Sequence, residues 1–205
     1  MYFWGGAECE HDANLQESYK QAYWIYAFRF LKASFYLQTT SATEAHTTDN
    51  LRSISALASQ RNDKAVCVLA ALLEGLLHLK AGRDDTVVRV QTCIAQASKY
   101  QLDSSVQIPQ LVILTRLLDL ACSLLQKLPD LITAKLKALQ ECMDGFRGAA
   151  AWGGASSELL LPLRKHSTSS PTISSDTAVV VRVGDEELDY LVLKSFTKAE
   201  GLALG

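Results

Sequence analysis

The sequence predicts an all-α fold, a solenoid of helical hairpins cut short and interrupted by a disordered insert. Three observations carry this. From about Leu15 to Gly145 the apolar residues recur at three and four positions and hardly ever at two. Turn and cap residues divide that span into six segments of helical length. Beyond Phe146 the composition shifts to Gly, Ser and Pro, which gives too few apolar anchors for a core.

The first helix is expected from about Leu15 to Leu37. Trp24, Phe28, Leu31 and Phe35 form one stripe, and Tyr23, Tyr26, Phe30 and Leu37 lie near a second. A helix with two apolar faces needs two neighbours. Ser41 and Glu44 have capping-box spacing ahead of a second helix carrying Leu51, Ile54, Leu57 and Ala58. The polar turn Arg61-Asn62-Asp63 offers a cap for a third, lined by Val66, Leu69, Ala70, Leu73 and Leu77. Gly82 suits the left-handed stop of that helix, and Asp84 or Asp85 caps a fourth with Val87, Val90, Ile94 and Ala97. Pro109 and Pro129 sit where a first helical turn tolerates proline, opening a fifth helix and a sixth. The fifth turns Leu111, Leu114, Leu118, Ala121 and Leu125 inward, the sixth Ile132, Leu136, Leu139 and Met143.

Short turns make neighbouring helices antiparallel, so six helices give three hairpins over 15–146. The second and third begin near Asp63 and Pro109, a spacing of about 46 residues. That exceeds the roughly 34 of the tetratricopeptide unit and predicts a tetratricopeptide-like solenoid with lengthened helices. Gly75, His78 and Gly82 stand where such a repeat has a small residue, an aromatic and a turn residue, but its tryptophan is missing. Residues 1–14 are an unplaced N-terminal segment and 147–176 a flexible Gly/Ser-rich insert. Residues 177–205 are read as extended coil through Ala178 to Val183, then the start of a further helical repeat with Leu188, Leu191, Val192, Phe196, Ala199 and Leu202 buried. A lone β-branched strand at Ala178 to Val183 would lack a partner.

The 205 residues carry a formal net charge of -2 with a pI near 6.1, so no basic excess supports direct binding to nucleic acid or to a membrane surface. The richest apolar run, Val66 to Leu79, is too short and too polar to span a bilayer. Met1 to Gly6 lacks the basic start and long apolar core of a signal peptide. Cys9, Cys67, Cys93, Cys122 and Cys142 show no C-x-x-C spacing and read as small core residues in a reducing compartment.

Catalytic signatures are sparse. Gly153-Gly154-Ala155-Ser156-Ser157 has no phosphate-binding lysine, and no G-x-S-x-G elbow occurs. His11, His46, His78 and His166 are far apart, and neither H-E-x-x-H nor a Cys/His cluster gives metal-ligand spacing, so no metal or cofactor is expected. Glu74 and His78 share a helical face as an acid/base pair would, though a helix-surface contact has the same spacing. The first helix of each hairpin lines the concave side of such a solenoid. The expected partner-binding residues are therefore Tyr26, Arg29 and Lys32 from the first helix, Glu74 and His78 from the third, and Arg116 and Asp119 from the fifth. An extended peptide needs donors and acceptors of this kind for its unpaired backbone groups.

The run Trp24 to Ala33, then Asn50 to Ile54 and Ala58 to Ala65, resembles the fungal cohesin-loading-factor family. So do Val88 to Ala97, Leu118 to Leu124 and Lys135 to Gln140, with Asp189 to Ala203 resembling the family's continuation after a variable Ser-rich insert. Family members are much longer, and the chain looks like an internal fragment. The resemblance implies a nuclear, non-catalytic scaffold of the cohesin loader, active in sister chromatid cohesion. It would embrace an extended N-terminal segment of the large HEAT-repeat loader subunit, with ATP hydrolysis left to cohesin. The alternative is an unrelated cytoplasmic tetratricopeptide adaptor for a peptide or chaperone tail.

Overall fold

The computed structural model describes residues 7–38, 44–146, 158–164, 181–183 and 186–194. Six α-helices run in sequence: α1 (Ala7–Gln38), α2 (Glu44–Arg61), α3 (Lys64–Ala81), α4 (Thr86–Ser98), α5 (Pro109–Leu125) and α6 (Pro129–Phe146). Each packs on the next, and α3 also touches α1 and α5. None of the described helices is long and apolar enough to cross a membrane.

The helix ends follow the turn chemistry. Gly82 adopts φ 61° and ψ 33°, and its amide donates to the His78 carbonyl at 3.2 Å, closing α3. Asn62 ends α2 in the same left-handed region, at φ 61°, which asparagine tolerates better than most residues. Pro109 and Pro129 stand at the first positions of α5 and α6. Asp63 and Asp85 precede α3 and α4, but neither carboxylate caps the helix. Asp85 pairs instead with Arg89 one turn on, at 2.6 Å. The capping box at Ser41 lies outside the described residues.

The core centres on α3, which buries residues on nearly all sides. Ala22, Tyr26, Phe30 and Ala33 of α1 meet Leu51, Ile54 and Ala58 of α2 in the same cluster. Gly75 marks a close approach, because a Cβ there would lie 3.2 Å from Leu118 Cδ1 and 3.5 Å from Cys93 Cβ. The small residue of the repeat pattern thus lets α4 and α5 approach α3.

A three-stranded antiparallel sheet corrects the all-α expectation. β1 (Glu158–Arg164), β2 (Val181–Val183) and β3 (Glu186–Lys194) stand in the order β1-β3-β2, with Leu161 opposite Leu191 and Val181 opposite Leu188. The helix expected from Glu186 is therefore a strand through Lys194, and part of the expected insert is β1. The partner that a lone strand at Ala178 to Val183 lacked is β3, which pairs with β2 on one side and with β1 on the other; the alternate leucines 159, 161 and 163 of β1 are buried in the main core. Pro162 is tolerated because β1 is an edge strand. The sheet lies across the first helices of the hairpins: β1 packs on α3, β3 touches α1, and Gln110 Nε2 of α5 donates to the Glu158 carbonyl at 3.4 Å.

A short 3₁₀ turn (Ser104–Val106) joins α4 to α5, and here an aspartate does cap: the Asp103 carboxylate accepts from the Ser105 amide at 3.0 Å. Lys64 at the start of α3 also bonds Asp103. That ammonium, with the Ser105 hydroxyl second, holds Asp103 down to about 2. A carboxyl whose folded value is depressed stabilises the fold above its ordinary value near 4, and loses that contribution as pH falls towards 2. Asp103→Asn should therefore lower the urea midpoint at pH 7, with the gap to wild type closing between about pH 4 and 2. A gap independent of pH would contradict this account of the turn.

Candidate functional site

Two features of the described surface stand out. The first is on α1. Its buried stripe is Ala22, Tyr26, Phe30 and Ala33, while Trp24, Phe28, Leu31 and Phe35, on the other apolar stripe, are 53%, 64%, 66% and 61% exposed. Trp24 and Phe28 stack with ring centroids 5.8 Å apart, and Tyr23 meets Trp24 edge-on at 5.5 Å. The second neighbour that a two-faced helix needs is not supplied by any described residue. Lys32 borders this stripe with its ammonium 5.8 Å from the Tyr36 ring centre.

The second feature is a cleft of about 500 Å³ between α2, α3 and α4. Glu74 and His78, one turn apart on α3, form its floor, both buried. Arg52 Nε of α2 donates to Glu74 Oε1 at 2.9 Å, and His78 Nε2 lies 3.6 Å from the same oxygen. Cys93 of α4 closes the group: its sulfur, a His78 ring nitrogen and a Glu74 carboxylate oxygen all lie within 4.8 Å of one another. Burial pushes the Cys93 thiol up to about 12, with the Glu74 carboxylate adding to the push and Arg52 opposing it.

The expected contact residues divide among several surroundings. Glu74 and His78 come together, but in the cleft between α2, α3 and α4, whose described lining includes no strand residue. Tyr26 is fully buried, and its hydroxyl donates to Asp63 Oδ2 at 2.9 Å. Arg29 is half-buried, and its carbonyl accepts from Asn50 Nδ2 at 2.9 Å. Lys32 and Arg116 are exposed, and Asp119 pairs with Lys135 of α6 at 2.8 Å. Sequence reasoning missed Cys93. Its spacing from His78 spans a turn and two helices, so only the packing of α4 on α3, permitted by Gly75, brings it to the pair.

Fold and surface define a protein of packed helical hairpins, braced on one side by a small sheet. The chain belongs to the cohesin loading factor family, whose model matches residues 9–205. This reaches further than the stretches quoted above, taking in the Ser-rich region and the residues just before Leu15. No curated protein and no solved structure matched the chain. Family membership supports a role in cohesin loading in general.

Proposed function

We propose that the chain is a tetratricopeptide-like, non-catalytic scaffold of the cohesin loader, acting in the nucleus and seating the extended N-terminal segment of the large HEAT-repeat subunit. The observation that carries this reading is the uncovered aromatic stripe of α1. Four large apolar side chains in a row on one helix face, each more than half exposed, exceed the scattered apolar exposure of an ordinary surface. Aromatic residues of this kind dominate the energetics of protein interfaces.

The groove we assign differs from the concave side of a simple solenoid, because the sheet occupies part of that side. Trp24, Phe28, Leu31 and Phe35 are the anchors, and Lys32 and Arg29 supply donors beside them. Arg116 and Asp119 of α5 and the cleft at Glu74 and His78 are outlying contacts for a long segment that continues over the helices. Tyr26 shapes this surface from beneath, through the core. The family match favours this reading over a cytoplasmic adaptor. Affinity purification of the chain from its source cells should retain the HEAT-repeat loader subunit, and retention of chaperones in its place would refute the proposal.

A further inference from the structure

We propose that Glu74, His78 and Cys93 form a binding site for one zinc-class divalent cation, which clamps α3 to α4 and keeps a fourth coordination position open to the cleft. The three side chains supply an oxygen, a nitrogen and a sulfur, the donor set that borderline ions such as zinc accept. Tetrahedral zinc with bonds of about 2.0–2.3 Å places neighbouring donors roughly 3.5 Å apart. His78 Nε2 and Glu74 Oε1 already stand at 3.6 Å, and the Cys93 sulfur lies within 4.8 Å of a His78 ring nitrogen and of a Glu74 carboxylate oxygen, so small rotations of Cys93 and Glu74 complete the triangle. All three are buried, with 7%, 3% and 3% of their surfaces exposed for Glu74, His78 and Cys93, so the pocket is largely desolvated.

Charge accounts for how the site fills. With the cleft empty, the Glu74 carboxylate is balanced by Arg52. On binding, Cys93 Sγ loses its proton to solvent as the sulfur–metal bond forms, and a carboxylate and a thiolate then neutralise a divalent ion. Arg52 becomes the surplus charge, and its side chain, 61% exposed, has room to turn towards water. Water occupies the fourth position on the side of the cleft.

The test uses the whole 205-residue chain, reduced and freed of metal, titrated with Co²⁺ as the absorbing stand-in for zinc. One equivalent should produce a thiolate-to-cobalt charge-transfer band, which zinc displaces. Cys93→Ser should abolish the band and weaken zinc binding about tenfold or more, while Cys142→Ser leaves the band unchanged. Absence of a saturable band, or its survival in Cys93→Ser, overturns the proposal. Should Cys93→Ser fail to fold, Arg52→Ala decides: loss of the competing cation should tighten zinc binding roughly two- to fivefold. Unchanged or weaker binding there refutes the site.

Discussion

Replacing Asp63 with alanine should cost about 3–5 kcal/mol, a large part of the roughly 5–15 that holds an ordinary domain together. Asp63 is 1% exposed and joins three parts of the chain. Its Oδ2 accepts from the Tyr26 hydroxyl of α1 at 2.9 Å and faces Arg61 Nε at 3.4 Å, and its Oδ1 accepts from the Arg164 amide of β1 at 3.0 Å. Alanine would leave a phenol, a guanidinium and an edge-strand amide without this acceptor. Burial, and next the Asp63 charge, push the Tyr26 phenol well above its ordinary value, so it remains a donor throughout the working pH range. Tyr26→Phe removes one bond and leaves the carboxylate its other two partners, so its cost should be nearer 1 kcal/mol. Denaturant melts of both variants check the ranking. Equal losses would mean that Asp63 does not join the sheet to the helices.

The double variant Phe28→Glu with Leu31→Glu should melt like wild type yet bind the loader segment at least about thirtyfold more weakly, the effect of losing about 2 kcal/mol at an anchor. Both side chains are nearly two-thirds exposed, so the fold gives up little when they become charged. A partner whose apolar residues cover that stripe would instead have to bury two carboxylates. Thermal melts and a binding titration on the same preparations separate the outcomes. A lowered melting temperature would identify the stripe as core, and unchanged affinity would place the partner elsewhere.

The helices were legible because their signals are local. Apolar spacing, Gly82, Pro109 and Pro129 each act within one or two turns, and the structure uses them as the sequence suggests. The sheet was hidden because its two long strands need each other. Leu159 to Leu163 sits between Gly-rich and Ser-rich stretches, and Leu188, Leu191 and Val192 fit a helical period as readily as a strand. Only the pairing of Leu161 with Leu191 decides between them. Asp63 shows the same limit at one residue: its position before α3 suggests a cap, but its carboxylate is taken by Tyr26 and by Arg164, 101 residues away. On α1 the two apolar stripes were visible in the sequence, and which of them is covered was not. The reason is that Trp24 and Phe28 have the same spacing in a core as on an open face.

On the proposed function, the open face of α1 seats the N-terminal segment of the HEAT-repeat loader subunit. A calorimetric titration of the 205-residue chain with that segment tests it most directly. The account predicts saturable one-to-one binding with a negative heat-capacity change, the mark of apolar surface leaving water. No binding, or binding that is equally strong in the Phe28→Glu, Leu31→Glu variant, would contradict it.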